Sequence, residues 1–157
     1  MKKLGKLLFF AAITALLTCL LCVALSATQY SGNCGKSGNN VTWSLDTETG
    51  VLKIEGKGAM KDYDLAISSA PWNNYRSSIK TVWIGNEVTS IGSGSFYGCS
   101  NLTSVEMTSS IKSIGDNAFW NCISLSSIEI PSNMTNIADY AFYGCSNLTN
   151  INVEKTN

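Results

Sequence analysis

Three cysteines, Cys99, Cys122 and Cys145, recur at one fixed interval, and two glutamates, Glu106 and Glu129, repeat at the same interval. Thiols in a column suggest disulfides or a metal site. Paired carboxylates suggest acid–base work on a glycan. Each reading meets a physical objection. Equivalent side chains on stacked strands point the same way about 4.8 Å apart, whereas a disulfide needs Cβ atoms near ~3.8 Å and turned toward each other. A line of thiolates is not a tetrahedron, so no metal site is expected. The three thiols are therefore expected to be buried and free, acting as small hydrophobes. The two carboxylates match the ~5 Å separation of retaining glycosidases, but here they fall on an open strand face rather than across a cleft. The chain contains no histidine. This excludes Ser-His-Asp and Cys-His nucleophile pairs and every His-ligated zinc site. No cofactor is implied, and a carboxylate-based glycan hydrolase is the only enzyme left to consider; the expectation is a protein without catalysis.

Two sets of aromatic residues are better suited to binding. Trp83 lies in the same outward column as Glu106 and Glu129; it reads either as an exposed anchor for a partner or as a side chain covered by the cap hairpin. Tyr97, Trp120 and Tyr143 form a second column, readable either as half-buried packing or as a platform for stacking sugars. Four N-x-T triplets begin at Asn40, Asn101, Asn133 and Asn147. They would accept glycans only in a eukaryotic extracellular protein.

The elements that must position these residues are legible as a repeat. IGSGSFYGCSNLTSVEM (91–107), IGDNAFWNCISLSSIEI (114–130) and IADYAFYGCSNLTNINV (137–153) align at a period of 23 without a gap, and Ile79, Val82 and Ile84 open a degenerate fourth unit. Ile91, Ile114 and Ile137 form one apolar column; Phe96, Phe119 and Phe142 a second; Leu102, Leu125 and Leu148 a third. Val88, Ile111 and Met134 add another. Val105, Ile128 and Ile151 alternate at period two with Met107, Ile130 and Val153, which defines a strand with one face in and one out. Ser93, Asp116 and Asp139 suit an N-cap, and Gly98, Asn121 and Gly144 suit a left-handed stop, so a short helical turn is expected between them. One unit buries too little to offset the ordering of its own backbone, so units must stack and be capped. The expected fold is an α/β-type repeat solenoid: a leucine-rich-repeat-like right-handed coil with a parallel β-sheet on one side and short helical turns on the other. On that sheet, Trp83, Ser104, Glu106, Ser127, Glu129 and Asn152 would share the outer surface.

Before residue 79 the period is absent. Val41, Trp43 and Leu45 alternate, as do Leu52 and Ile54, around a turn-rich DTETG, which reads as a β-hairpin. Residues 28–78 are expected to cap the solenoid of residues 79–157. After Val153 the chain stops almost at once, at Asn157, which suggests an open end or a piece of a longer array. Residues 1–27 carry Lys2, Lys3 and Lys6, an uncharged run from Leu7 to Leu25, and small residues Ala24, Ser26 and Ala27. This is a signal peptide or, uncleaved, a membrane anchor; either exports the rest. Removing it removes three lysines and no acid, leaving eight basic and eleven acidic side chains, net −3. Electrostatic binding of nucleic acid is excluded on that balance.

The units resemble the BspA-like leucine-rich repeats of bacterial surface proteins. IGDNAFWNCISLSSIEIPSNM (114–134) follows that family's pattern nearly throughout, and Cys34-Gly35, VTWSLDTETGVLKIEGKGAM and Ala70–Trp72 resemble the segment that precedes such repeats. Ser95 replaces Ala, Ala138 replaces Gly, and Thr108 and Glu154 replace Pro; none touches a core column. The resemblance implies a secreted or cell-surface protein that binds an extracellular protein or glycan, often in adhesion, with any membrane contact made through the N-terminal segment. The alternative is a structural spacer or fragment of a larger cell-envelope protein.

Overall fold

The structure, a computed structural model, describes residues 28–64 and 69–155; the expected leader lies outside these. Strands β1 (Gln29–Gly35), β2 (Gly38–Asp46) and β3 (Val51–Gly56) pair antiparallel in that order. Between β2 and β3, the Asp46 carboxylate accepts the amides of Glu48 and Thr49 at 2.9 and 3.2 Å. Gly50 closes the turn at φ 76°, and its carbonyl then accepts the amides of Lys80 and Thr81. An added Cβ there would sit 2.5 Å from the Ser78 carbonyl oxygen, so only glycine fits.

This attachment sets the register of β5 (Thr81–Ile84), which joins β3 in parallel; β7 (Ser104–Glu106) joins β5. The resulting sheet has the order β1-β2-β3-β5-β7, and β9 (Ser127–Ile130) with β11 (Asn150–Val153) forms a parallel pair. A second parallel ladder runs through β4 (Gly58–Ala59), β6 (Val88–Ile91), β8 (Ser113–Ile114) and β10 (Asn136–Ile137). Partners such as Val82↔Val105, Ile91↔Ile114 and Ile128↔Ile151 stand one full period apart in the chain. Two findings go beyond the sequence reading: β1, and the second ladder at the column Ile91, Ile114 and Ile137.

The expected helical turns are not formed. Among the described residues the one helix is a short 3-10 segment, Asn73–Ser78, ahead of the repeats. Over 93–98, 116–121 and 139–144 the chain makes turns instead. The reason is a pair of left-handed residues in each unit: Gly94 and Gly98, Asn117 and Asn121, Tyr140 and Gly144, with φ between 54° and 73°. They interrupt the right-handed dihedrals a helix requires. The amides are satisfied by the next unit: Gly94, Phe96 and Gly98 donate to the carbonyls of Asp116, Ala118 and Trp120 at 2.8–2.9 Å, and Asn117, Phe119 and Asn121 repeat the pattern onto Asp139, Ala141 and Tyr143. The expected caps act between units too. Asp116 accepts the amide of Asp139, and Asp62 that of Ser93. At the corners the direction reverses: the amides of Thr103, Gly115, Thr135 and Ala138 donate back to Lys80, Ile91, Lys112 and Ile114.

The core lies between these sides. Phe96 stacks on Phe119 at 5.1 Å and Phe119 on Phe142 at 5.3 Å, and Trp72 continues the column at 5.7 Å from Phe96. Such offset ring pairs contribute beyond simple burial. The Trp72 indole N–H donates to the Ser95 carbonyl at 2.8 Å. Ser95 is itself buried, and its hydroxyl donates to the Gly92 carbonyl at 2.7 Å, so the departure from Ala leaves no unpaired group.

Candidate binding face

Alternation along the sheet turns Leu52, Ile54, Val82, Ile84, Val105, Ile128 and Ile130 inward and their neighbours outward. Register then sets the outward residues in rows. Lys53, Trp83 and Glu106 are direct neighbours across β3, β5 and β7; Glu129 and Asn152 are neighbours on the separate pair β9 and β11, and line one depression with Glu106. A parallel row holds Thr81 and Ser104, then Ser127 and Asn150. Of the six residues expected on one sheet face from the spacing, Trp83, Ser104 and Glu106 lie on the five-stranded sheet, whereas Ser127, Glu129 and Asn152 lie on the separate β9–β11 pair.

The face is indented. A cavity of about 320 Å³ is walled by Val51, Lys53, Glu55, Thr81, Trp83 and Glu106. A second of about 250 Å³ has Ser104, Glu106, Ser127, Glu129 and Asn152 on its walls. Glu106 is common to both. Trp83 is half-buried, with its six-membered ring close to Gly85, where a Cβ would come within 3.4 Å of Cζ3. Val51, Lys53, Glu55 and Thr81 were missed as site residues; the alternation of Val51-Leu52-Lys53-Ile54-Glu55 is the signal that points to them, once β3 is known to share the sheet with β5. Among the described residues the ion pairs are Lys36–Asp62 and Lys57–Glu87, both exposed. Neither neutralises Glu55, Glu106 or Glu129, so the face carries three carboxylates and one ammonium between β3 and β9.

The other conspicuous residues fall elsewhere. Cys99, Cys122 and Cys145 are buried and unbridged, as is Cys34. The Cys122 and Cys145 thiols donate to the carbonyls of Phe96 and Phe119 at 3.2 and 3.0 Å, each reaching back one unit. Burial pushes Cys34 and Cys99 up to about 12, with the Arg76 charge acting against it at Cys99. Neutral thiols of this kind are poor nucleophiles. Among the described residues no group of His, Cys, Asp or Glu is arranged to hold a metal ion.

Tyr97, Trp120 and Tyr143 form a column on the turn side, with ring centroids 6.2 and 4.3 Å apart and planes within 25° and 35°. Tyr140 joins them, 5.7 Å from Trp120 and 5.9 Å from Tyr143. Tyr97 and Trp120 are half-buried, whereas Tyr140 and Tyr143 are 62% and 56% exposed, so the column both packs on itself and leaves ring surface open to solvent. Three of the N-x-T asparagines use their side-chain amides on backbone carbonyls: Asn40 on Lys57, Asn101 on Ser77 and Asn133 on Ser109.

Parallel ladders at a fixed interval, an aromatic column inside and a polar sheet face outside define a leucine-rich-repeat protein. The BspA type leucine-rich repeat region matches residues 67–157 in six copies, and the chain belongs to that family. Among solved structures it is similar to a leucine-rich repeat protein from Eubacterium ventriosum (27% identity over 81% of this chain and 44% of that one, TM-score 0.56). It is also similar to one from Bacteroides ovatus (32% identity, 62% and 26%, TM-score 0.49). A leucine-rich cell surface protein from Faecalibacterium prausnitzii matches at 24% identity (75% and 39%, TM-score 0.41). The chain thus spans under half the length of each of these three. No curated protein matches it.

Proposed function

We propose that the protein is a secreted or cell-surface adhesion module that holds an extracellular protein or glycan on the outer face of its main sheet and of the adjoining β9–β11 pair. In this reading residues 79–157 form a right-handed solenoid, residues 28–78 cap its first repeat with the β2–β3 hairpin, and residues 1–27 export the chain. The observation that carries it is the row Lys53–Trp83–Glu106, with Glu129–Asn152 on the adjoining pair, on a rigid surface indented at Trp83. A half-buried Trp ringed by polar groups has the anatomy of an interface anchor. The family is one of repeat proteins that typically act through binding, and no nucleophile–base pair accompanies the carboxylates. Among the described residues no helix is long and apolar enough to cross a membrane.

Replacing Trp83 with Ala and Glu106 and Glu129 with Gln together should abolish capture from a panel of purified extracellular matrix proteins and glycans, with an unchanged far-UV circular dichroism spectrum. Undiminished capture by a folded triple variant refutes the face. A second reading, a spacer within a longer cell-envelope protein, draws support from the 44% of the Eubacterium ventriosum relative that the chain covers. It predicts no capture by the unmodified chain.

A further inference from the structure

We infer that the cavity at Trp83 receives a single arginine side chain of the partner, an inference that rests on the binding-face reading above. The cavity measures about 320 Å³, the low end of the range for small-molecule sites, about 300–1,000 Å³. That suits one long side chain rather than a folded surface. Its wall joins three chemistries. Trp83 presents an indole, the aromatic ring that attracts cations most strongly. Glu106 stands beside it on β7, and Glu55 stands on β3, just along the strand from its other neighbour Lys53. Both carboxylates are exposed and are not spent on the ion pairs of the described residues.

A planar guanidinium can lie on the indole while its N–H donors fork to a carboxylate, a combination a compact ammonium does not match. Carboxylates outnumber the cation on this wall, so charge complementarity selects a positive occupant. Glu129, in the adjoining depression that shares Glu106, extends the same preference along the face. Lys53 opposes it; its ammonium is the one positive charge on the wall and weakens cation entry.

The test is a titration of the purified chain with capped Gly-Arg-Gly, Gly-citrulline-Gly and Gly-Lys-Gly peptides, and with methyl glycosides. The indole N–H resonance of Trp83, assigned with a Trp83→Phe variant, reports the binding. The arginine peptide should shift that resonance, and citrulline, which keeps the shape and loses the charge, should bind at least about tenfold more weakly. Glu106→Gln should weaken arginine binding and Lys53→Gln should strengthen it. Glu55→Gln, at another exposed carboxylate of the wall, repeats the Glu106 test independently. No shift with arginine, an equal response to citrulline or to lysine, or a response to glycosides alone overturns the assignment. If the triple variant loses partner capture while arginine peptides bind nowhere, the face stands and the arginine pocket falls; if capture survives the triple variant, the face itself falls.

Discussion

The two ends of the stacked core are built from similar residues and fare differently. At the N-terminal end Trp72 closes the aromatic column, and Trp43 and Tyr63 meet it edge-on at 5.6 and 6.1 Å. At the other end the column stops at Phe142, which is only partly buried. The contrast is sharpest between equivalent positions. Ile114 is 0% exposed and Ile137 44%; Ile128 is 2% exposed and Ile151 57%. Each pair has the same residue type and the same place in its repeat. Burial in this fold is therefore supplied by the next repeat along the chain, not by a repeat's own composition.

This comparison can be broken by mutation. Phe119→Ala removes a ring packed on both faces and should cost about 3–5 kcal/mol. Phe142→Ala, with one face packed, should cost less than half of that. Urea denaturation of both variants decides, and equal costs would mean that the ends are energetically alike. Trp72→Phe shrinks the buried indole to a phenyl ring and deletes its N–H, leaving the buried Ser95 carbonyl without that donor; about 1–3 kcal/mol should be lost from the missing hydrogen bond, with a cavity cost added to it.

A pH titration sharpens the comparison from the interior. Cys99 is pushed up to about 12 from 9.0 by burial. The fold therefore favours the protonated thiol. Its contribution is complete below pH 9 and is lost between about pH 9 and 12, where the unfolded chain ionises first, at about 1.4 kcal/mol per pH unit. Cys99→Ala should reduce this alkaline loss in thermal melts, leaving the share that the raised Cys34 contributes, and thiol reagents at pH 8 should label Cys99 only after unfolding.

The smallest effect concerns Tyr140. It holds φ 57° where the preceding repeats place Asn117 and Gly94, a conformation that costs a bulky residue about 1–2 kcal/mol. Its contacts with Trp120 and Tyr143 offset part of this. Tyr140→Asn should stabilise the protein by less than about 1 kcal/mol, measured as a rise in Tm. A fall would show that the exposed aromatic cluster outweighs the backbone strain.

How much of this was legible from residues alone follows from what repetition can encode. The inward columns, the outward row and the left-handed positions at 98, 121 and 144 were readable because identical demands recur at identical spacing. The left-handed positions at 94, 117 and 140 were not, since Gly, Asn and Tyr do not look alike. Reading Asp116 and Asp139 as helix caps failed for a related reason: a carboxylate before a turn accepts an amide equally well within its own unit or from the next. Trp72 escaped the ladder because it stands one position too far ahead of Phe96 to fall on the period. Lys53 and Glu55 belong to a strand whose place beside β5 depends on Gly50, a turn residue that belongs to no repeat and meets the array only through the fold.

The opposing directions of the hydrogen bonds between repeats have a further consequence. On the turn side the amides point toward the later repeat, while those of Thr103, Gly115, Thr135 and Ala138 point toward the earlier one. Peptide dipoles on the two sides therefore oppose one another along the stacking axis. An α-helix gathers partial charge at its termini because its dipoles add. Opposed dipoles limit such a build-up here, so each repeat adds less terminal charge than a turn of α-helix does.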